Sequence, residues 1–282
     1  MRPSLHGHMN VDELIQSLTS SDAEVRANVR RRLLDLGADA VPLLRRHASS
    51  ASPRTRAGLW GILREINKRG FKSELTRFAA DPRSVSLERA ALALSGIDNP
   101  DLDSESYVTR LTQFSSDLAF LLGPESETPF NLDAFRNFMS GELGFTGNSD
   151  DYYDPANSFV DQVIDRRSGI PITLSLIYMV VGSKAGLRVD GIGLPGHFII
   201  RFGDSRDEIY LDPFHEGRIL SRRDCERIVA GRGFALQEEY LRPVTPKIIV
   251  SRMCRNLVNA YSFRQAPTAV REYYEIERLV SS

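Results

Sequence analysis

Apolar residues recur at three- and four-residue steps through the N-terminal third of the chain, the spacing that lines one face of a helix. In "SDAEVRANVRRRLL" that face is Val29, Leu33 and Leu36. The stretches "SPRTRAGLWGILREI" and "SVSLERAALALSGI" repeat the arrangement, each with a Ser and an Arg ahead of the apolar positions. Aligning Arg26, Arg56 and Arg89 gives steps of 30 and 33 residues, which suit a helical hairpin repeat. Ser21 or Asp22, Ser52 and Ser84 stand where N-caps belong, and Asn10 with Glu13 offers a capping box before the first copy. Trp60, alone between apolar neighbours, is expected in the core.

Helical spacing continues through residues 84–122, broken by "DNPDLDSES", where Pro100 ends one helix and hydroxyl and acidic residues cap the next. "NLDAFRNFMSGELGF" predicts an amphipathic helix with Leu132, Phe135, Phe138, Met139 and Leu143 inward and Gly144 near its end. A polar loop, "TGNSDDYYDPANS", follows. Pro171 then sits where a helix begins, at the one position that tolerates proline, with Leu174, Ile177 and Tyr178 on one face and Gly186 at the end. Beyond it the period falls to two: "LRVDGIGL", "HFIIRF", "EIYLD" and "RIL" predict short strands of an antiparallel sheet packed on that helix, an α+β core. Two more helices close the chain. One is capped by Thr245 with Pro246 first and Ile249, Met253, Leu257 and Ala260 on one face; the other carries Val270, Tyr273, Tyr274, Ile276 and Leu279.

Composition adds limits rather than an identity. The 282 residues are 41% hydrophobic and 26% charged, with a net charge of -1, so no overall field points to an acidic or basic partner. The N-terminus lacks the apolar run of a secretory signal, and the uncharged run between Arg167 and Lys184 is too short to cross a bilayer. Cys225 and Cys254 form neither a metal-ligand spacing nor a disulfide framework, and a cytoplasmic protein is expected. Residues 22–72 hold twelve Lys or Arg against five Asp or Glu, with Arg30, Arg31 and Arg32 the densest part. A helical-repeat face binding nucleic acid is one reading. Without interleaved aromatic residues to stack on bases, a solvated helix face is the expectation, and nucleic acid is not the expected partner.

Three resemblances follow. Residues 10–80 resemble HEAT-type repeats, and the last two helices resemble a tetratricopeptide-like hairpin, which should pack on a neighbour because it cannot bury its own face. The stretches "GFTGNSDDYYDPANSFVDQVIDRRSGIPITLSLIY", "GLPGHFIIRF" and "LDPFHEGRIL" resemble the transglutaminase-like superfamily, and within it the bacterial SirB-type family related to a domain of a eukaryotic F-box protein. The resemblance implies a transglutaminase-like (papain-like) core in residues 83–244, flanked by helical repeats in 1–82 and 245–282. It also implies a site. The enzymes of that superfamily place Cys at a helix start, then His, then Asp on neighbouring strands; His197 and Asp212 match the last two. The cysteine does not carry over: Pro171 occupies the slot of Gly-x-Cys.

Thr173 and Ser175, in the first turns of the same helix, are the hydroxyls that could replace it. Asp154, Asn157, Asp161, Arg166, Arg167 and Gly196 belong to the matching stretches and are expected to line or support the pocket. Asp154, Asp161, His197 and Asp212 follow no established metal-ligand spacing, so neither metal nor other cofactor is expected. The expectation is a peptide or protein recognition module without the thiol; the enzymatic alternative is a thiol-independent amide hydrolase or acyl transferase built on His197 and Asp212. Cys225 is expected on a helix near the rim and Cys254 as a buried thiol beside Met253.

Overall fold

In the computed structural model, residues 11–123, 128–203 and 209–282 are described. The Asn10 cap lies outside them. Contacts divide the chain into two compact units, Met1–Ser73 with Gly96–Leu102, and Glu74–Ser95 with Asp103–Ser282.

The first unit contains α1 (Val11–Ser17), α2 (Ala23–Leu36), α3 (Val41–Ser50) and the N-terminal part of α4 (Pro53–Ala80). Asp22 caps α2 by accepting from the Glu24 and Val25 amides, and the Ser52 hydroxyl accepts from Thr55 at 3.4 Å at the start of α4. Leu14, Val29, Leu33, Leu44, Leu59 and Ile62 close the core. Trp60 is not part of it: with Leu59, Ile62, Leu63 and Ile66 turned inward, the next position round the helix faces solvent, and Trp60 is 43% exposed. Arg30, Arg31 and Arg32 are all exposed, and Arg30 pairs with Glu65.

The second unit is an α+β fold. Ser84 is no cap: its hydroxyl donates to the Arg77 and Asp81 carbonyls, and α5 (Leu87–Asp98) starts three residues later. Asp103 caps α6 (Ser104–Leu122). α7 (Thr128–Arg136) widens into a π-helical turn over Asn137–Glu142, closed by the Leu143 amide on the Phe138 carbonyl at 2.8 Å. The wider turn and the left-handed Gly144 (φ 73°) leave Leu143 only half-buried, and Phe145 takes the buried place.

α8 (Val160–Arg166) follows, and α9 (Pro171–Lys184) is the central element. Eleven of its fourteen residues are buried, so the single apolar face expected from Leu174, Ile177 and Tyr178 is too narrow. Neighbours surround it: α6, α8, the C-terminal α11 (Pro246–Phe263), and the strands β3 (Val189–Ile192) and β4 (Ile199–Phe202). With β5 (Ile209–Asp212) and β6 (Arg218–Leu220) these strands form an antiparallel sheet in sequence order, in which Gly191 faces Ile200, Ile200 faces Leu211, and Leu211 faces Ile219. Two further short strands, β1 (Thr146–Gly147) and β2 (Ser168–Gly169), pair in parallel.

α10 (Arg222–Ala230) begins with a Ser221–Asp224 capping box. Cys225 is fully buried on it, away from any rim, in a cluster with Ile192, Leu194, Tyr210 and Leu220. α11 and α12 (Pro267–Ser281) pack on each other, with the rings of Tyr261 and Tyr273 stacked at 5.6 Å. Ile249, Met253, Leu257 and Ala260 are buried as the spacing implies. In α12, Tyr273 and Ile276 point inward, whereas Tyr274 and Leu279 are exposed because α11 covers only one side. No described helix is long and apolar enough to cross a membrane.

Candidate functional site

The site grows out of the turn ahead of β4. Gly196 takes φ 70°, which favours glycine, and the His197 amide closes the turn on the Leu194 carbonyl. Arg252 on α11 ties it down, its Nη2 donating to the Leu194 carbonyl at 3.0 Å and the His197 carbonyl at 2.9 Å. His197 is thereby held two residues before β4 on a backbone fixed from both sides.

Asp212 ends the neighbouring strand. Its Oδ1 accepts the Phe214 amide at 3.1 Å, and its Oδ2 accepts from His197 Nε2 and from His215 Nδ1, each at 2.8 Å. An ionised carboxylate only accepts, so both imidazoles must present N–H to it. For His197 this leaves Nδ1 turned away from Asp212, with a lone pair there only when the ring is neutral. Burial pushes the Asp212 carboxyl up, but the His197 and His215 hydrogen bonds and the attraction of those rings outweigh burial and hold it below the usual carboxylate range. Asp212 is almost wholly buried, while His215 is 58% exposed.

His197 opens onto a cavity of about 480 Å³. Tyr152 and Tyr153 form one wall and the start of α9, Ile170 to Ile172, another. Arg232 and the Arg252, Asn256 and Asn259 side of α11 complete it. Pro171 lines this cavity at the first position of α9, where it carries no N–H and no nucleophilic atom.

The hydroxyls of α9 do not meet His197. Thr173 is fully buried with no hydrogen-bond partner for its Oγ1, and Ser175, also buried, donates weakly to the Phe198 carbonyl at 3.4 Å. Nor do the thiols: burial pushes Cys225 and Cys254 each up to about 12.

Of the other expected site residues, Gly196 lines the cavity. Asp154 caps the 3₁₀ turn Pro155–Asn157 and pairs with Arg166 at 2.8 Å. Asn157, buried, accepts from Asn148 and donates to the Asp151 carbonyl, so it shapes the loop that presents Tyr152 and Tyr153. Asp161 is buried with one oxygen on Gln162. Arg167 closes α8 with φ 59° and lies 4.8 Å from the ring centres of both Phe114 and Phe145. These residues support the loop and α8 rather than line the cavity.

Sequence reasoning missed His215, Arg232, Arg252, Asn256 and Asn259. His215 was visible three positions after Asp212, and Arg252, Asn256 and Asn259 fall on one helical face as a polar stripe. Arg232 had no local signal. Among the described residues, the donor atoms of His197, Asp212 and His215 lie within 4.8 Å of one another, a set of two imidazoles and a carboxylate that could hold a first-row divalent ion. Here both imidazoles are hydrogen-bonded to Asp212 Oδ2, each at 2.8 Å.

A family model described as the transglutaminase-like superfamily matches residues 105–255. A UPF0162 protein of Xylella fastidiosa is 32% identical over 188 residues, covering 64% of this chain and 67% of the relative. One from Vibrio cholerae is 30% identical over 181 residues, 63% of this chain and 67% of that one. F-box only protein 21 of Mus musculus is 33% identical over 136 residues, which are 45% of this chain and 21% of the mouse protein. No solved structure matches.

Proposed function

The chain belongs to the transglutaminase-like superfamily, and from that premise we propose that it is a recognition module, holding a peptide or protein segment beside His197 without cleaving it. Pro171 carries this reading. It opens α9 into the cavity at the position where the resemblance puts the cysteine, and a proline ring cannot attack a carbonyl. The cavity falls within the ~300–1,000 Å³ of ordinary ligand sites. Its Tyr152 and Tyr153 rings and its Asn256 and Asn259 amides suit the side chains and peptide groups of an extended segment. In this reading residues 1–82 form a HEAT-like region, 83–244 the central domain and 245–282 a tetratricopeptide-like hairpin, in a cytoplasmic protein whose partners are polypeptides rather than nucleic acid.

One observation favours a second reading, thiol-independent amide hydrolysis. His197 Nδ1 has no hydrogen-bond partner among the described residues, while Asp212 orients the ring as it would a general base. Water would then be the nucleophile. The test pairs binding with turnover: the full chain is screened against an array of heptapeptides and against chromogenic amides and esters, beside His197→Ala and Asn259→Trp, the latter to plug the cavity. Recognition requires peptides whose binding is lost in Asn259→Trp, with no turnover above background. Turnover that disappears in His197→Ala would overturn it in favour of the hydrolase.

A further inference from the structure

Charge around the cavity is unbalanced. Arg232 and Arg252 line it with His197, and among the described residues no Asp or Glu does. Asp212 stands behind His197 with its Oδ2 taken by two imidazoles. Several guanidiniums elsewhere in this unit find carboxylates: Arg110 meets Asp165, Arg166 meets Asp154, and Arg201 meets Asp190, whereas Arg167 lies against two aromatic rings.

Arg252 does not. Half-buried, it spends Nη2 on two carbonyls and lies over the Phe198 ring at 5.2 Å, contacts that fix the 194–197 turn but neutralise nothing. Burial and the neighbouring Arg255 pull its pKa down, and Arg255 itself turns to Glu277. Arg232 packs against Gly196 and makes no ion pair among the described residues. For Arg252, a partly desolvated cation with no carboxylate partner among the described residues, the lack of a counter-charge is costly, and a bound anion removes that cost.

We propose that the pocket recognises its peptide through a carboxylate, seated between Arg232 and Arg252. This rests on the recognition reading and names what the site reads. The positive end of α9 opens toward the same cavity and favours the same charge. Asn256 and Asn259, one and two turns beyond Arg252, are placed for the peptide groups next to the carboxylate, and Tyr152 and Tyr153 for the adjoining side chain. The carboxylate can be a chain terminus or an Asp or Glu side chain.

The array decides between these sources if each heptapeptide is made in four forms: acidic with a free C-terminus, the same amidated, with Asn and Gln replacing Asp and Glu, and with both changes. Binders are then measured by fluorescence anisotropy on the wild type, Arg232→Gln, Arg232→Lys and Asn259→Trp. Losing a charge-assisted contact should weaken binding roughly ten- to hundredfold. That loss is expected on removing the relevant carboxylate and again in Arg232→Gln, with Arg232→Lys recovering most of it. Arg232 is exposed and makes no ion pair among the described residues, so neither change should disturb folding. Peptides held equally well in all four forms, yet lost in Asn259→Trp, overturn the carboxylate and leave recognition standing. Carboxylate dependence that ignores both Arg232→Gln and Asn259→Trp places the contact elsewhere and also overturns it. No binding in any form removes both.

Discussion

Replacing Asp212 by Asn probes a buried carboxylate on which two imidazoles converge. The change keeps the shape of the side chain but removes its charge and turns one of two accepting oxygens into a donor. Three N–H groups converge there, from His197, His215 and Phe214. An amide oxygen cannot serve both ends of the site, so at least one donor is left facing the new NH₂ or a ring must change tautomer. Hydrogen bonds to charged groups contribute about 1.5–3 kcal/mol and neutral ones about 0.5–1.5. His215, 58% exposed, recovers its partner from water, so only His197 and the Phe214 amide count fully. The net expectation is a loss of about 2–3 kcal/mol, or roughly 5–10 °C in Tm for a unit of this size.

Urea unfolding of wild type and variant across pH is the assay. Because the folded carboxyl lies below its usual value of 3.8, its contribution is complete above that value and is lost as pH falls through the folded one. The gap between the two proteins should be open at pH 7, should not shrink toward pH 5, and should narrow only below about 3.8. Equal midpoints at pH 7, or a gap that closes near pH 6, would show that Asp212 is not an ionised acceptor held by the two rings.

Three other outcomes are expected. Thr173→Val removes a buried hydroxyl that has no partner, so it should leave the protein as stable or raise its stability by about 1 kcal/mol, measured by thermal unfolding; a loss above that would mean the hydroxyl is bonded in solution. Neither Cys225 nor Cys254 should react with a thiol reagent in the native protein at pH 8, and both should react in guanidinium, since burial pushes each thiol up to about 12; rapid labelling of the folded chain would refute the burial. Gly147→Ala drives a methyl into the Phe214 carbonyl and ring, and should lower urea stability by about 1–3 kcal/mol and shift the ring resonances of His215, whereas a silent substitution would show that the 213–215 turn yields freely.

Much of the fold was legible because local chemistry sets it. The four strands, the Pro171 and Pro246 helix starts and the Asp22, Ser52 and Thr245 caps lie where turn residues and apolar periods put them. What failed did so for tertiary reasons. α9 looked one-sided, yet neighbours on all sides bury it; Trp60 looked like core but stands on the side of α4 that its own apolar stripe turns away. The pairing of β1 with β2 had no signal, because a two-residue parallel bridge needs its partner in place.

For the site, the family resemblance was enough to single out His197 and Asp212 and to draw attention to Pro171, since it works from residue identity and order along the chain. Their meeting at 2.8 Å, the second imidazole on the same oxygen, and the guanidinium and amides that α11 brings from more than fifty residues away were decided only by packing. A pocket is a property of the surfaces that several elements leave uncovered when they close on one core, and no local stretch of sequence carries it.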